Sequence, residues 1–520
     1  MRKFFLALVA VCAAALTHSA PVPVPAKKPK LVVLVVVDQF RYDYLTRYRS
    51  DYQAGFAQML TKGAVFTNAH YEHMPTVTAV GHSITLSGAM PALSGIVGNE
   101  WYDRTTGKQV TSVSDSEYTT LGAPSREAAS PKRLLVSTVG DELKMSGKGS
   151  KVIGVSMKDR SAILPAGHMA DAAYWWDAAT GNFVTSTYYV KALPPWVEAY
   201  NKERSVDRFA GQKWTAIDGS QVFATMPEKL GKPYYDAVYS SAFGNEVLES
   251  FAEAVLASER LGLNGGTDLL TLSFSSNDSV GHKLGPDHPA MRDISIRTDR
   301  MLGKFFAKID KQVGMANVLV VLTADHGVAP LPEKMAERKM PGGRMTESFV
   351  LDAVQQELSE KYGPGKWVLG KSGPSPYLDH KLIAEKNLNL EEVQTTAAQA
   401  VRELPHIARV FTREDLRKGL AQNDQVGRRV QNGFFYQRAT DLVIVPEPFY
   451  LFEKSGTSHG TPYNYDSHVP VVFMGPGIRA GNYNDRVAVN DIAPTLSTYL
   501  EIEVPSGASG RVLDEIFGAN

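Results

Sequence analysis

Residues 31–38 read Leu31-Val32-Val33-Leu34-Val35-Val36-Val37-Asp38, seven consecutive apolar residues closed by an acid. A Val-rich run of this length, without the alternation of a half-solvated strand, predicts a β-strand buried on both faces. Open α/β sheets present their ligands at strand C-terminal ends, which is where Asp38 stands. The design recurs. Residues 267–274 (TDLLTLSF) run toward Asn277 and Asp278, and residues 317–324 (NVLVVLTA) run into Asp325 and His326. Residues 469–474 (VPVVFM) run into Gly475-Pro476-Gly477, and 151–156 and 441–446 are further strand candidates. Helical patterns lie between them, near 132–146, 241–261, 293–312 and 490–500. This alternation predicts an α/β fold with a central, mostly parallel sheet and helices on both faces. Segments 101–130, 160–235 and 330–440 are rich in Gly, Pro and aromatics and weakly periodic. They read as insertions capping the strand C-terminal ends of a single domain over 31–520.

Composition sets limits. The 520 residues are 43% hydrophobic and 21% charged, ordinary for a globular protein. Basic and acidic residues cancel at 55 each, which removes any broad field favouring nucleic acid or acidic polymers. No nucleic-acid-binding domain is expected. At the N-terminus, Arg2 and Lys3 precede a short apolar run ending at Leu16. This predicts a secretory signal peptide over 1–20, with small residues offering cleavage after Ala15 or Ala20. The run is too short to span a membrane comfortably. With 21–30 as a Pro/Lys linker, the cleaved chain is expected to carry no membrane span and to be periplasmic or secreted. Cleavage removes the only cysteine, Cys12, and leaves 53 basic residues against 55 acidic, a net charge of −2. Metal ligands must then be Asp, Glu or His, and no disulfide staples the fold.

Three short motifs supply such ligands. Asp278 and His282 stand four apart in Asp278-Ser279-Val280-Gly281-His282. Asp325-His326-Gly327 directly follows a predicted buried strand, and Ser458-His459-Gly460 lies in a loop before the last core strand. Each alone reads as readily as a cap, a turn or a solvated histidine. With Asp38 they give six oxygen and nitrogen donors, a set suited to two neighbouring Zn²⁺ sites with positions open to substrate. Mg²⁺ or Mn²⁺ tolerates such donors, but three imidazoles favour zinc. Acidic pairs such as Glu391-Glu392 specify no additional structural Ca²⁺ or Mg²⁺, and no feature specifies an oligomeric state.

Two further stretches complete the pattern: Met74-Pro75-Thr76-Val77-Thr78-Ala79-Val80-Gly81-His82 and Gly98-Asn99-Glu100-Trp101-Tyr102-Asp103. In this order, Asp38, Thr78, Asn99, Asp278, His282, Asp325, His326 and His459 resemble the alkaline phosphatase superfamily across essentially the whole cleaved chain. Pro75-Thr76-Val77-Thr78, Gly98 to Asp103 and Thr457-Ser458-His459-Gly460-Thr461-Pro462-Tyr463 are similar to its bacterial alkaline phosphatases with a threonine nucleophile. The resemblance implies an alkaline-phosphatase-like fold and two Zn²⁺. It also implies hydrolysis of small-molecule phosphate monoesters through a covalent phospho-threonine on Thr78. One zinc would sit on Asp38, Asp325 and His326, bordered by Thr78, and the other on Asp278, His282 and His459. Asn99 would donate to a phosphoryl oxygen. A threonine hydroxyl is a weak nucleophile until a metal favours its alkoxide, and a helix N-terminus favours phosphate. Thr76 is the rival nucleophile; Thr78 matches the family position and directly precedes the helix-like run over 79–86. His82, one turn on, reads as structural.

Met157-Lys158-Asp159-Arg160 separates the enzyme classes. The resemblance implies that Lys158 and Arg160 contact phosphoryl oxygens; in an extended segment, residues two apart share a face. A dianionic monoester presents one more charged oxygen than a diester, and a cation pair selects for it. The rival reading is a nucleotide pyrophosphatase/phosphodiesterase of the same superfamily. Such enzymes share the metal ligands, threonine and asparagine, lack the cation pair, and favour an apolar pocket for the second ester group. Sulfatases need a Cys/Ser-x-Pro-x-Arg motif, which is not evident, and phosphoglycerate mutases need a serine nucleophile. A metal-binding protein without chemistry is disfavoured by the presence of all six ligands and Thr78.

Overall fold

All seven residues of β1 (Leu31–Val37) are buried. Successive side chains alternate between faces, so both faces of the strand are covered. The computed structural model describes residues 27–123, 129–419 and 424–518; the expected signal peptide and most of the linker lie outside the described residues. β1 belongs to a ten-stranded sheet. The other members are β2 (Ala64–Phe66), β3 (Thr120–Leu121), β4 (Val152–Ser156), β5 (Ala172–Asp177), β6 (Asn182–Ser186), β7 (Asp268–Phe274), β8 (Val318–Thr323), β9 (Val471–Met474) and β10 (Gly481–Tyr483). Their spatial order is β10-β2-β9-β8-β1-β7-β4-β5-β6-β3. β8, β1, β7, β4 and β5 are parallel neighbours, while β9 and β6 pair antiparallel with the strands beside them. The sheet is mostly parallel, as expected.

The three central strands finish level: Val37 is in register with Phe274, and Val36 with Thr323. That register delivers Asp38, Asp278 and Asp325 to one edge of the sheet. Six helices matter for the site: α1 (Thr78–Ser87), α2 (Asp159–Ala166), α3 (Ala242–Ser258), α4 (Ser276–Leu284), α5 (Pro289–Val313) and α6 (Ile492–Leu500). Every residue of α1 is buried. A Cβ on Gly81 would meet the Asp325 carbonyl oxygen at 2.0 Å, so glycine lets this helix lie directly against the loop that carries two expected ligands. α3, α5 and α6 fall where periodicity put them. The helix expected over 132–146 is shorter, Val139–Met145. Thr138 and Asp141 form a reciprocal capping box that fixes its start.

Residues 160–235, expected as a capping insertion, instead supply α2, β5 and β6. The aromatics that blurred their period, Tyr174, Trp175, Trp176 and Phe183, are buried in the main core. The lobe lies mainly within 343–451. Helices Glu347–Tyr362 and Leu390–Arg402 enclose their own apolar cluster, including Val350, Val354, Trp367 and Val393. The strand candidate over 441–446 pairs with Ile407–Thr412 in this lobe rather than with the central sheet. Arg104 forms an ion pair with the buried carboxylate of Asp441, tying the lobe to the segment that follows Asn99. No helix among the described residues is long and apolar enough to cross a membrane.

Candidate active site

Val77 is extended (φ −129°, ψ 159°) and Thr78 is the first residue of α1, so Thr78 stands among the helix N–H groups that lack intrahelical partners. Asn99 Oδ1 accepts from the Ala79 N–H at 2.8 Å, which orients the carboxamide and leaves Nδ2 to donate elsewhere. The Thr76 hydroxyl is committed, donating to the Thr461 carbonyl at 2.9 Å. Thr78 Oγ1 lies 3.4 Å from both His326 Nε2 and Lys158 Nζ. Of the two candidate nucleophiles, Thr78 faces the charged cluster.

All six expected ligands converge there in two sets. His326 Nε2 lies 3.3 Å from Asp325 Oδ2 and 3.6 Å from Asp38 Oδ1. His282 Nε2 lies 3.1 Å from Asp278 Oδ1 and 3.2 Å from His459 Nε2, which is itself 3.7 Å from Asp278 Oδ1. Asp278 and His282 are one turn apart on α4 and so share a face. The His326 and His459 rings stack with centroids 3.5 Å apart, placing the sets side by side. His326 is thus within ligating reach of Asp278 and His459 as well as of Asp38 and Asp325.

The donor chemistry fits a pair of divalent cations. His282, His326 and His459 each donate from Nδ1 to a backbone carbonyl, of Thr457, Gly327 and Thr76 respectively, at 2.7–2.9 Å. Nε2 is therefore the atom left free to ligate in every case. Asp38 Oδ1 is buried without a hydrogen-bond partner. Three buried carboxylates, Asp38, Asp278 and Asp325, face a single ammonium. Burial and the neighbouring Asp325 push the Asp38 carboxyl well above its usual range, a stress that positive charge relieves. Burial opposes charge on His282, but Asp278 prevails and raises its imidazole to about 9.

Lys158 Nζ sits 2.6 Å from Asp38 Oδ2 and 2.6 Å from Asp278 Oδ2, the oxygens turned away from the histidines. Each carboxylate therefore divides its two oxygens between a ligand set and Lys158. Arg160 departs from the expected extended arrangement. β4 ends at Ser156, Lys158 is the last extended residue (φ −106°, ψ 138°), and Arg160 is already the second residue of α2. Its guanidinium lies 3.7 Å from Asp159, and its positive charge acts on Lys158. The structure thus puts Lys158 inside the cluster and Arg160 beside it.

His82 serves a supporting role, as expected: Nε2 meets Ser273 Oγ at 2.8 Å, and Nδ1 lies 2.9 Å from the Thr78 carbonyl and 3.2 Å from Asp325 Oδ2. Gln39 bears directly on the ligands too, and nothing in the sequence marks it beyond its place after Asp38. His73, just ahead of the threonine loop, is fully buried, and burial pushes its pKa down from 6.5 to about 3. The unfolded chain takes up a proton that the folded chain refuses, so stability should fall as pH drops from about 6.5 toward 3. Denaturation midpoints measured against pH should fall less steeply over that interval in His73→Phe than in wild type, with the other buried imidazoles, among them His70, supplying the remaining slope.

A family model described as type I phosphodiesterase / nucleotide pyrophosphatase matches residues 32–468. The chain belongs to this family. Among its relatives, it is 36% identical to alkaline phosphatase PafA of Elizabethkingia meningoseptica, over 94% of this chain and 95% of that one. It is 35% identical to alkaline phosphatase PhoV of Synechococcus elongatus, over 95% and 94%. The crystal structure of PafA matches with a TM-score of 0.89, covering 95% of this chain and 100% of that one. The alkaline-phosphatase-like fold expected from the motifs is the fold observed.

Proposed function

We propose that this chain is a zinc-dependent alkaline phosphatase that hydrolyses small phosphate monoesters through a phospho-threonine on Thr78, in the periplasm or outside the cell. The observation that carries this reading is the convergence of six oxygen and nitrogen donors beside one threonine hydroxyl and one buried lysine. Relatives of the same length named alkaline phosphatases support it.

Asp38, Asp325 and His326 would hold one zinc, and Asp278, His282 and His459 the other. When bound, the pair supplies Lewis-acid charge to the attacking and leaving oxygens. Thr78 Oγ1 bonds to phosphorus as its proton passes to solvent, and the bond from phosphorus to the ester oxygen breaks, the leaving oxygen taking up a proton from water to depart as the alcohol. Water then displaces Thr78 Oγ1, releasing inorganic phosphate and restoring the hydroxyl. The N-terminal amides of α1 and the Asn99 Nδ2 donor favour negative charge on the phosphoryl oxygens. Lys158 holds an ammonium 3.4 Å from the nucleophile, and Arg160 adds charge beside it; both favour the dianion of a monoester.

One feature favours a secondary diesterase activity. A cavity of about 410 Å³ opens beside Asn99 and His459 and is lined largely by apolar side chains, among them Met74, Val77, Val97, Phe434, Ile444 and Leu451. It suits an apolar ester group, whether the leaving group of a monoester or the second group of a diester.

The test is kcat/KM for an aryl phosphate monoester and its methyl diester, with zinc supplied and after chelation. Monoester preference that chelation abolishes and zinc restores is the expected result, accompanied by a lower Tm for the chelated protein. Diester preference would move the chain to the phosphodiesterase reading. Full hydrolysis after exhaustive chelation would overturn the metal assignment.

A further inference from the structure

We propose that Gln39 is a positioning residue that fixes the two ligand sets relative to one another; this rests on the two-metal reading above. Gln39 is wholly buried immediately after Asp38. Its backbone N–H donates to Asp325 Oδ1 at 3.1 Å, and its side-chain Nε2 donates to Asp278 Oδ1 at 2.7 Å. One residue thus touches a carboxylate from each set while its neighbour Asp38 belongs to the first. The backbone takes φ +60° to do so, a left-handed conformation that costs a non-glycine residue energy and persists where surroundings enforce it.

The other end of the carboxamide is equally constrained. Gln39 Oε1 is buried without a hydrogen-bond partner and points at Gly281, the residue before His282. A Cβ on Gly281 would come within 1.9 Å of Oε1, whereas the nearest atom outside Gln39 would be Met291 Cε at 3.6 Å. Gly281 therefore admits Gln39, and Gln39 sets where α4 carries Asp278 and His282 against the end of β1. Groups that orient metal ligands through hydrogen bonds typically govern affinity by 10–100-fold when altered.

Two variants isolate the side chain. Gln39→Gly keeps the backbone N–H to Asp325 and suits the positive φ, while Gln39→Met keeps the bulk against Gly281 and removes the donor. Metal-free protein, with folding checked by circular dichroism, would be titrated with zinc against a chromogenic chelator. The expected result is two sites in wild type and, in both variants, one site weakened by about 10–100-fold with the other unchanged. A third arm tests the contact itself. Gly281→Ala should weaken zinc binding in the wild-type background and do so far less in Gln39→Gly, a non-additive cycle. Wild-type affinities in Gln39→Met would reduce Gln39 to a packing role and overturn the proposal, as would additive effects in the cycle. Failure of wild type to bind two zinc ions would instead overturn the two-metal reading.

Discussion

Thr78→Ala should lower monoester kcat/KM by roughly four orders of magnitude or more, the scale on which removing a nucleophile disables a hydrolase whose groups act as a unit. The fold should be indifferent. Thr78 is the first residue of α1 rather than its cap, and its hydroxyl makes no contact closer than 3.4 Å to His326 or Lys158. Tm should therefore move little, since no short hydrogen bond is lost. Zinc stoichiometry should stay at two, because the six other ligands are untouched. Thr78→Ser should keep substantial activity, and rapid quenching of wild type with labelled substrate should trap phosphate on residue 78. Full turnover by Thr78→Ala would return attention to Thr76, whose hydroxyl is committed to the Thr461 carbonyl.

Removing the cations should separate ester classes. Lys158→Ala is expected to cost about 10²–10³ in monoester kcat/KM, the usual price of one donor aimed at developing charge, and distinctly less for the matched diester. That variant has a second consequence, because the ammonium also neutralises Asp38 and Asp278; its zinc affinity must be measured beside its kinetics. Arg160→Ala is cleaner. Its ion-pair contact is with Asp159 and not with a ligand, so the monoester-to-diester ratio should fall while zinc binding holds. Equal losses for both esters would remove the cation pair as the basis of selectivity and favour the apolar cavity as the determinant.

The strands and the gathering of the acids and histidines are legible because their chemistry is local. A run such as 31–38 has one economical fate, and acids or histidines placed after such runs necessarily gather where parallel strands end. The lobe boundaries were hidden because burial of Tyr174, Trp175 and Trp176 in the extended sheet resembles, in sequence, an irregular aromatic insertion. Arg160 stands apart from an extended arrangement for a local reason: a helix begins at Asp159 and converts spacing two from one face into a change of direction. Gln39 had no signal at all. Its importance comes from two carboxylates more than two hundred residues away and from a missing Cβ at Gly281, relations that only the folded chain expresses.

The segmental origin of the site has a consequence for synthesis. Asp38 and Thr78 leave the ribosome early, while His459 comes late and is followed by β9, which inserts between β2 and β8. A chain made only as far as Thr78 carries the proposed nucleophile and one of the six candidate metal ligands. A cut anywhere before Val471 leaves an N-terminal piece whose sheet lacks an interior strand.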